Sequence, residues 1–232
     1  ATNRYLLLNV MRLGLIMTTL GLLLASVASS PLFLTMALFV AGLGGAFLWI
    51  PAPVIASAAL PIARQPLAVG LMSSGIGLGV VFASILSGVL RSSEGDHAWS
   101  SVYQVLFYIA LLILAATLLI VRHAQARPRG GGGIGGFGAL RRMHRWLPLI
   151  MAYATFGFMY LLVIGFLTTR LEDDSAWTTA DAAVAFTLMG FAMIFGGPTF
   201  VAISRWVGIR LALSIAYGLW PVFVCIVLTG FY

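Results

Sequence analysis

The chain has 232 residues, 61% of them hydrophobic and 8% charged, with a formal charge of +7 at pH 7. A soluble domain carries roughly 45–50% apolar and about 25% charged residues, so this composition excludes a water-soluble fold. The positive charge does not point to nucleic acid, because that surface needs basic residues clustered on one exposed face, and here they occupy short gaps between long apolar runs.

A bilayer core about 30 Å thick takes roughly 20 apolar residues of helix. Runs of that length predict seven spans, bounded by charge, Pro or small polar residues. They lack strict period-two alternation, so they read as helices and not barrel strands. The fold class is all-α: a polytopic membrane bundle of seven transmembrane helices.

The first span is Tyr5–Val27. It follows Ala1-Thr2-Asn3-Arg4, without an initiator Met, and is too long for a signal peptide, so the amino terminus reads as a cut. Arg12 is the one ionisable residue clearly inside an apolar run. Eight residues after Arg4 place it about 12 Å further along the helix. Two readings are open: it snorkels back to the membrane surface, or it attracts an anion or carboxylate on a substrate path. The second span, Leu32–Ala56, carries Trp49, Pro51 and Pro53. Proline removes backbone donors and kinks helices, so Trp49 is either an interfacial ring on a tilted helix or a path-lining one.

The third span, Leu67–Leu90, contains Gly75-Ile76-Gly77-Leu78-Gly79. Inside a span this is no nucleotide fingerprint; small residues let helices approach closely, so Gly75 and Gly79 are helix-packing candidates. The fourth is Val102–Val121. The connection Arg122–Arg145 then includes Arg127-Pro128-Arg129 and the Gly130–Gly136 run. It reads as a flexible linker, since a phosphate cradle would need a strand before it and a helix after it.

In the fifth span, Trp146–Thr169, Tyr153, Phe156 and Tyr160 recur at three- and four-residue spacing and share a face. Tyr hydroxyls in lipid need partners, so this face is expected to point inward, lining a substrate path or packing on another helix. The sixth span, Ala182–Ile203, carries Gly196-Gly197-Pro198, and the seventh, Leu211–Phe231, carries the single cysteine, Cys225. No intrachain disulfide is possible. His97, His123 and His144 fall in loops without helical pairing, so no metal site or cofactor is expected.

All thirteen basic residues are Arg. Arg4, Arg64, Arg122, Arg127, Arg129, Arg141, Arg142, Arg145, Arg205 and Arg210 fall on one side, and Arg91 and Arg170 on the other. Positive charge stays cytoplasmic, which places the amino terminus inside, the carboxyl end outside and the protein in the plasma (inner) membrane.

One helix, then three, a basic linker and three more of opposite sense is the repeat logic of many secondary transporters. The arrangement resembles helices three to nine of a twelve-helix major facilitator superfamily permease. The resemblance divides the chain into 1–122, the remainder of the first half; 123–145, the linker between halves; and 146–232, the first three helices of the second half. Pro61-Ile62-Ala63-Arg64-Gln65-Pro66-Leu67-Ala68-Val69-Gly70 resembles the family's Arg-Gly-x-Ala-x-Gly loop, with Gln65 and Pro66 interrupting it. Ser204-Arg205-Trp206-Val207-Gly208-Ile209-Arg210 resembles its Asp-Arg-x-Gly-Arg loop, with Arg205 and Trp206 at the acidic and first basic positions. Trp49-Ile50-Pro51-Ala52-Pro53, Gly196-Gly197-Pro198 and Leu219-Trp220-Pro221 resemble a bacterial subgroup of largely unassigned substrate.

The resemblance implies a secondary permease moving a small-molecule substrate by alternating access, with the bilayer and a coupling proton as further partners. No acid lies within a span to carry that proton. Arg12, Trp49, Tyr153, Phe156 and Tyr160 are the substrate-path candidates; Gly75, Gly79, Pro51, Pro53, Pro198, Arg205 and Gly208 are the packing and gating candidates. A seven-helix membrane receptor, or another membrane-embedded protein without transport activity, is the alternative. A retinal pump needs a Schiff-base Lys, which the chain lacks, and a membrane-embedded enzyme needs convergent polar groups within the spans. The chain is expected to be a fragment that, alone, inserts poorly and does not transport.

Overall fold

A computed structural model describes residues 2–58, 60–120, 146–174 and 177–229. The linker 122–145 with its glycine run, His123 and His144 lies outside the described residues.

Among the described residues, seven helical segments are long and apolar enough to cross a membrane. Helix α1 is Thr2–Ser26; α2 (Pro31–Trp49) and α3 (Pro51–Ala58) form the second span; α4 is Gln65–Glu94 and α5 Ala98–Ile120; α6 is Trp146–Thr169, α7 Thr179–Val207 and α8 Ile209–Thr229. The fold is the all-α bundle expected, with several helices outrunning their apolar cores.

Local chemistry explains the longer ends. Helix α4 continues past Leu90, and within the helix the Ser92 and Ser93 hydroxyls donate back to the Val89 carbonyl, at 2.7 and 3.3 Å, which satisfies these polar side chains. It stops at Gly95, whose φ of 66° ordinary residues adopt with strain. Helix α7 begins early because Thr178 and Asp181 form a reciprocal capping box. The Asp181 N–H donates to Thr178 Oγ1 at 3.2 Å, and the Thr178 N–H to Asp181 Oδ2 at 3.3 Å. The second span breaks at Ile50 because Pro51 and Pro53 have no N–H for the carbonyls four residues earlier. The Pro51 side chain is fully buried.

Lipid is as apolar as the side chains, so close packing and hydrogen bonds must join the helices. In the antiparallel pair α1–α2, a Cβ at Gly14 would lie 2.7 Å from the Gly44 carbonyl oxygen, and one at Gly21 2.5 Å from the Ala41 nitrogen. This register carries Arg12 to the level of the break at Trp49–Pro51. The start of α5 is tied to the end of α1 by the Ser100 hydroxyl, which donates to the Ser26 carbonyl at 2.7 Å.

The most extensive pairing is α4 with α7, from opposite sides of the linker. Here also the helices run antiparallel. A Cβ at Gly77 would lie 2.5 Å from the Ile194 nitrogen, one at Gly190 2.8 Å from the Val81 nitrogen, and one at Gly197 2.7 Å from the Gly70 carbonyl oxygen. Gly75 and Gly79, the expected packing glycines, are not in this seam: a Cβ at either meets nothing within 4 Å. They lie two residues to either side of Gly77, so the helical turn carries them to other faces.

Overpacking a close-packed site costs about 1–3 kcal/mol. Gly77→Val should therefore lower the melting temperature of the purified protein by several degrees, while Gly75→Ala should leave it unchanged or raise it, since Ala is the better helix former. Equal loss in both would place the contact on the wrong face of α4.

Candidate functional site

Three aromatic rings of α6, those of Tyr153, Phe156 and Tyr160, converge with residues far away in sequence. Trp49 at the end of α2, Ser73 and Ile76 of α4, Tyr153, Phe156, Gly157 and Tyr160 of α6, and Met193, Gly196, Gly197 and Phe200 of α7 line one cavity of about 640 Å³. Four of the five path candidates therefore face a common space. Arg12, half-buried on α1, is not part of this lining.

A stacked group of rings supports one wall. Phe156 and Tyr160 lie 6.1 Å apart between centroids at 22°, as one-turn neighbours on α6. Behind them Tyr217 meets Phe156 edge-on at 5.8 Å, and Trp220 lies 5.7 Å from Phe156 and 6.4 Å from Tyr160. Both come from α8, so this cluster joins α6 to α8. The Trp220 indole N–H is buried with no hydrogen-bond partner among the described residues.

The facing wall belongs to the α4–α7 seam. Pro198 cannot donate to the Ile194 carbonyl four residues earlier, a group that lipid would leave unsatisfied. The Ser74 hydroxyl of α4 donates to that carbonyl at 2.5 Å. A proline on one helix is thus compensated by a serine on the other, one position from Ser73 in the cavity lining.

A second cavity, of about 350 Å³, continues along the same faces toward the other end of α4, lined by Val80, Ser84, Ser87 and Arg91 of α4, Ile164 of α6 and Ala183 and Phe186 of α7, among others. It ends at an ion pair. Arg91 donates from Nη1 and Nη2 to Glu172 Oε1 and Oε2 at 3.1 and 3.3 Å, a parallel fork that adds direction to charge. The side chains keep 39% and 20% of their exposure. Glu172 is aimed by the π turn Arg170–Asp174 that closes α6. At the opposite end of the seam, Arg205 donates from Nη2 to the Ala63 carbonyl at 3.1 Å, joining the end of α7 to the turn before α4. Gly208, with φ of 86°, makes the reversal from α7 into α8.

Aromatic side chains from either side of the linker thus share one cavity, and the α4–α7 seam beside it carries a polar tie at each end. The Major Facilitator Superfamily sequence profile matches residues 2–232. The chain belongs to the major facilitator superfamily. No curated protein and no solved structure matches it. Membership makes this a transporter-type membrane protein with a small-molecule substrate.

Sequence reasoning passed over Ser74, Arg91 and Glu172. The first is visible only when Pro198 is known to lie across from it, and the ion pair spans 81 positions of sequence. If Ser74 serves the carbonyl freed by Pro198, the substitutions Ser74→Ala and Pro198→Ala should not be additive. A double-mutant cycle on thermal stability is expected to give a coupling of about 0.6 kcal/mol, typical of interhelical hydrogen bonds in membranes. A coupling of zero would make the serine an ordinary surface hydroxyl.

Proposed function

We propose that this superfamily member is a permease that works by alternating access, with the cavity bounded by Trp49, Tyr153, Phe156 and Tyr160 as its solute site. The observation that carries this reading is the meeting of aromatic side chains from both sides of the linker in one space. In the proposed cycle the two helix groups rock about the α4–α7 seam, and the Arg91–Glu172 pair forms when the cavity is closed at that end. The Arg distribution favours the Ala63 and Arg205 end as cytoplasmic and the Arg91 end as outer, in a bacterial inner membrane. On the same reading the chain corresponds to helices three to nine of twelve, divided by the linker between halves, and the full transport cycle needs the remaining helices.

Orientation and rocking share one experiment, in a Cys225→Ser background. Cysteine at Ser93 should react with an impermeant thiol reagent applied to intact cells, and cysteine at Ala63 should be protected. Cysteine at Gly196, where a side chain has open space, should react slowly from outside and severalfold faster once Glu172→Gln breaks the ion pair. Reaction at Ala63 but not Ser93 would reverse the orientation, and an unchanged rate at Gly196 would remove the pair from the gate.

Arg12 stands apart from the cavity lining, and its place in the proposal is structural: a guanidinium at the level of the Trp49–Pro51 break. Arg12→Lys should then leave transport by the full-length permease nearly intact, because an ammonium also reaches carbonyl oxygens or the surface. A large loss with Lys would instead assign Arg12 to planar, bidentate anion recognition.

A further inference from the structure

The chemistry of the lining narrows what enters it; this step rests on the cavity being the solute site. Trp49, Tyr153, Phe156, Tyr160 and Phe200 present rings, Met193 a thioether, and among the described residues no Arg, His, Asp or Glu lines the space. The acids whose side chains are described, Glu94, Glu172, Asp173 and Asp181, sit at helix ends or in the turn after α6. A charged solute would therefore leave its hydration for a lining in which the described residues supply no counter-charge.

The size of that penalty separates the solute classes. Placing a charge at mid-membrane is disfavoured about a hundredfold or more. An anion recovers nothing from ring faces, whose quadrupole is negative, and a few neutral donors and ring edges restore only part of its lost hydration. A cation over a desolvated ring recovers about thirtyfold, which falls short of that penalty, and two of the five lining rings are poorly disposed to offer it. Phe156 and Tyr160 turn their faces to one another at 22°, and Trp220 and Tyr217 cover Phe156 from behind. Their free edges are positive and suit the face of another ring. Among the polar side chains on the lining, the Ser73 hydroxyl donates to the Val69 carbonyl, and the Trp49 indole and the Tyr153 and Tyr160 hydroxyls offer N–H and O–H donors to an acceptor oxygen or nitrogen. A space of about 640 Å³ lies in the range of sites for drug-sized molecules.

We infer that the cavity takes uncharged, planar aromatic solutes bearing a hydrogen-bond acceptor. Neutral aromatics slide between ring edges, and their acceptor meets the Tyr or Trp donors, so selection acts against charge of either sign.

Three photoreactive probes with one ring system test this: 4-benzoylbenzyl alcohol, 4-benzoylbenzoate and 4-benzoylbenzyl-trimethylammonium, each irradiated with the protein in membranes, with labelled peptides read by mass spectrometry. The expected result is labelling by the alcohol within Tyr153–Tyr160 that excess unlabelled 4-hydroxymethylbiphenyl competes away, at least about tenfold above either charged probe at equal concentration, a difference of about 1.4 kcal/mol. Tyr160→Ala should abolish that competed labelling. Gly157→Asp, at a lining position with open space, should raise labelling by the ammonium probe. Competed labelling at these residues by the cation or anion equally or better overturns the inference while leaving the cavity as the solute site. Competed labelling found only elsewhere, or none from any probe, overturns the site and the inference with it.

Discussion

The structure depends on one contact: the close approach of α4 and α7 at Gly77 and Gly190, where an added Cβ would fall 2.5 Å from the Ile194 nitrogen or 2.8 Å from that of Val81. In lipid no hydrophobic force brings two apolar helices together. Gly70 and Gly77 on one helix, and Gly190 and Gly197 on the other, repeat at seven-residue intervals and so form a stripe along each facing side. Backbone meets backbone there, and side chains immediately beside the stripe are held in fixed register. Ser73 and Ile76 on α4, and Met193 and Phe200 on α7, line the cavity because of that register. Moving either helix by one residue would turn these groups away from the Tyr and Phe rings of α6.

Prolines in this chain have two different consequences, and the difference lies in their neighbours. Pro51 and Pro53 together interrupt the second span, leaving a break at Ile50 and bringing Trp49 to the end of a helix. Pro198 sits within an unbroken α7. The carbonyl that it frees belongs to Ile194, and the Ser74 hydroxyl occupies it. Ser74 is small enough to stand in the glycine stripe yet polar enough to answer an unsatisfied acceptor. The seam therefore combines the two devices available to helices in lipid, close backbone approach and interhelical hydrogen bonding.

The spans were legible because apolar runs of bilayer length have few other uses, and the aromatic stripe because Tyr153, Phe156 and Tyr160 lie at three- and four-residue spacing on one helix. What was not legible is pairing. Gly75, Gly77 and Gly79 are indistinguishable as composition, and only the partner reveals that Gly77 faces it. Trp49 joins the same cavity as Tyr160 through packing that no local periodicity encodes. In the sequence Asp181 merely precedes the sixth apolar run, while its carboxylate caps the first turn of α7. The helix ends lie further out for the same reason: hydropathy measures where lipid begins, whereas caps and a left-handed glycine decide where a helix stops.

The two ties that flank the seam are chemically unequal, and the inequality bears on how a rocking motion would proceed. At one end Arg91 and Glu172 form a two-bond fork between charges that are only partly exposed. At the other, Arg205 makes one bond to the Ala63 carbonyl from an exposed position, where water can replace it at little cost. Glu172 belongs to the turn after α6, not to α7. The ion pair therefore draws α4 toward the helix that carries Tyr153, Phe156 and Tyr160, while Arg205 only reinforces two helices already packed together. Pulling α6 away from α4 would break the pair and expose the row Ser84, Ser87 and Arg91, leaving the Gly77–Gly190 contact intact. In the proposed cycle, a hinge of small residues beside a releasable charge pair would let one cavity wall move without unpacking the seam that positions the other.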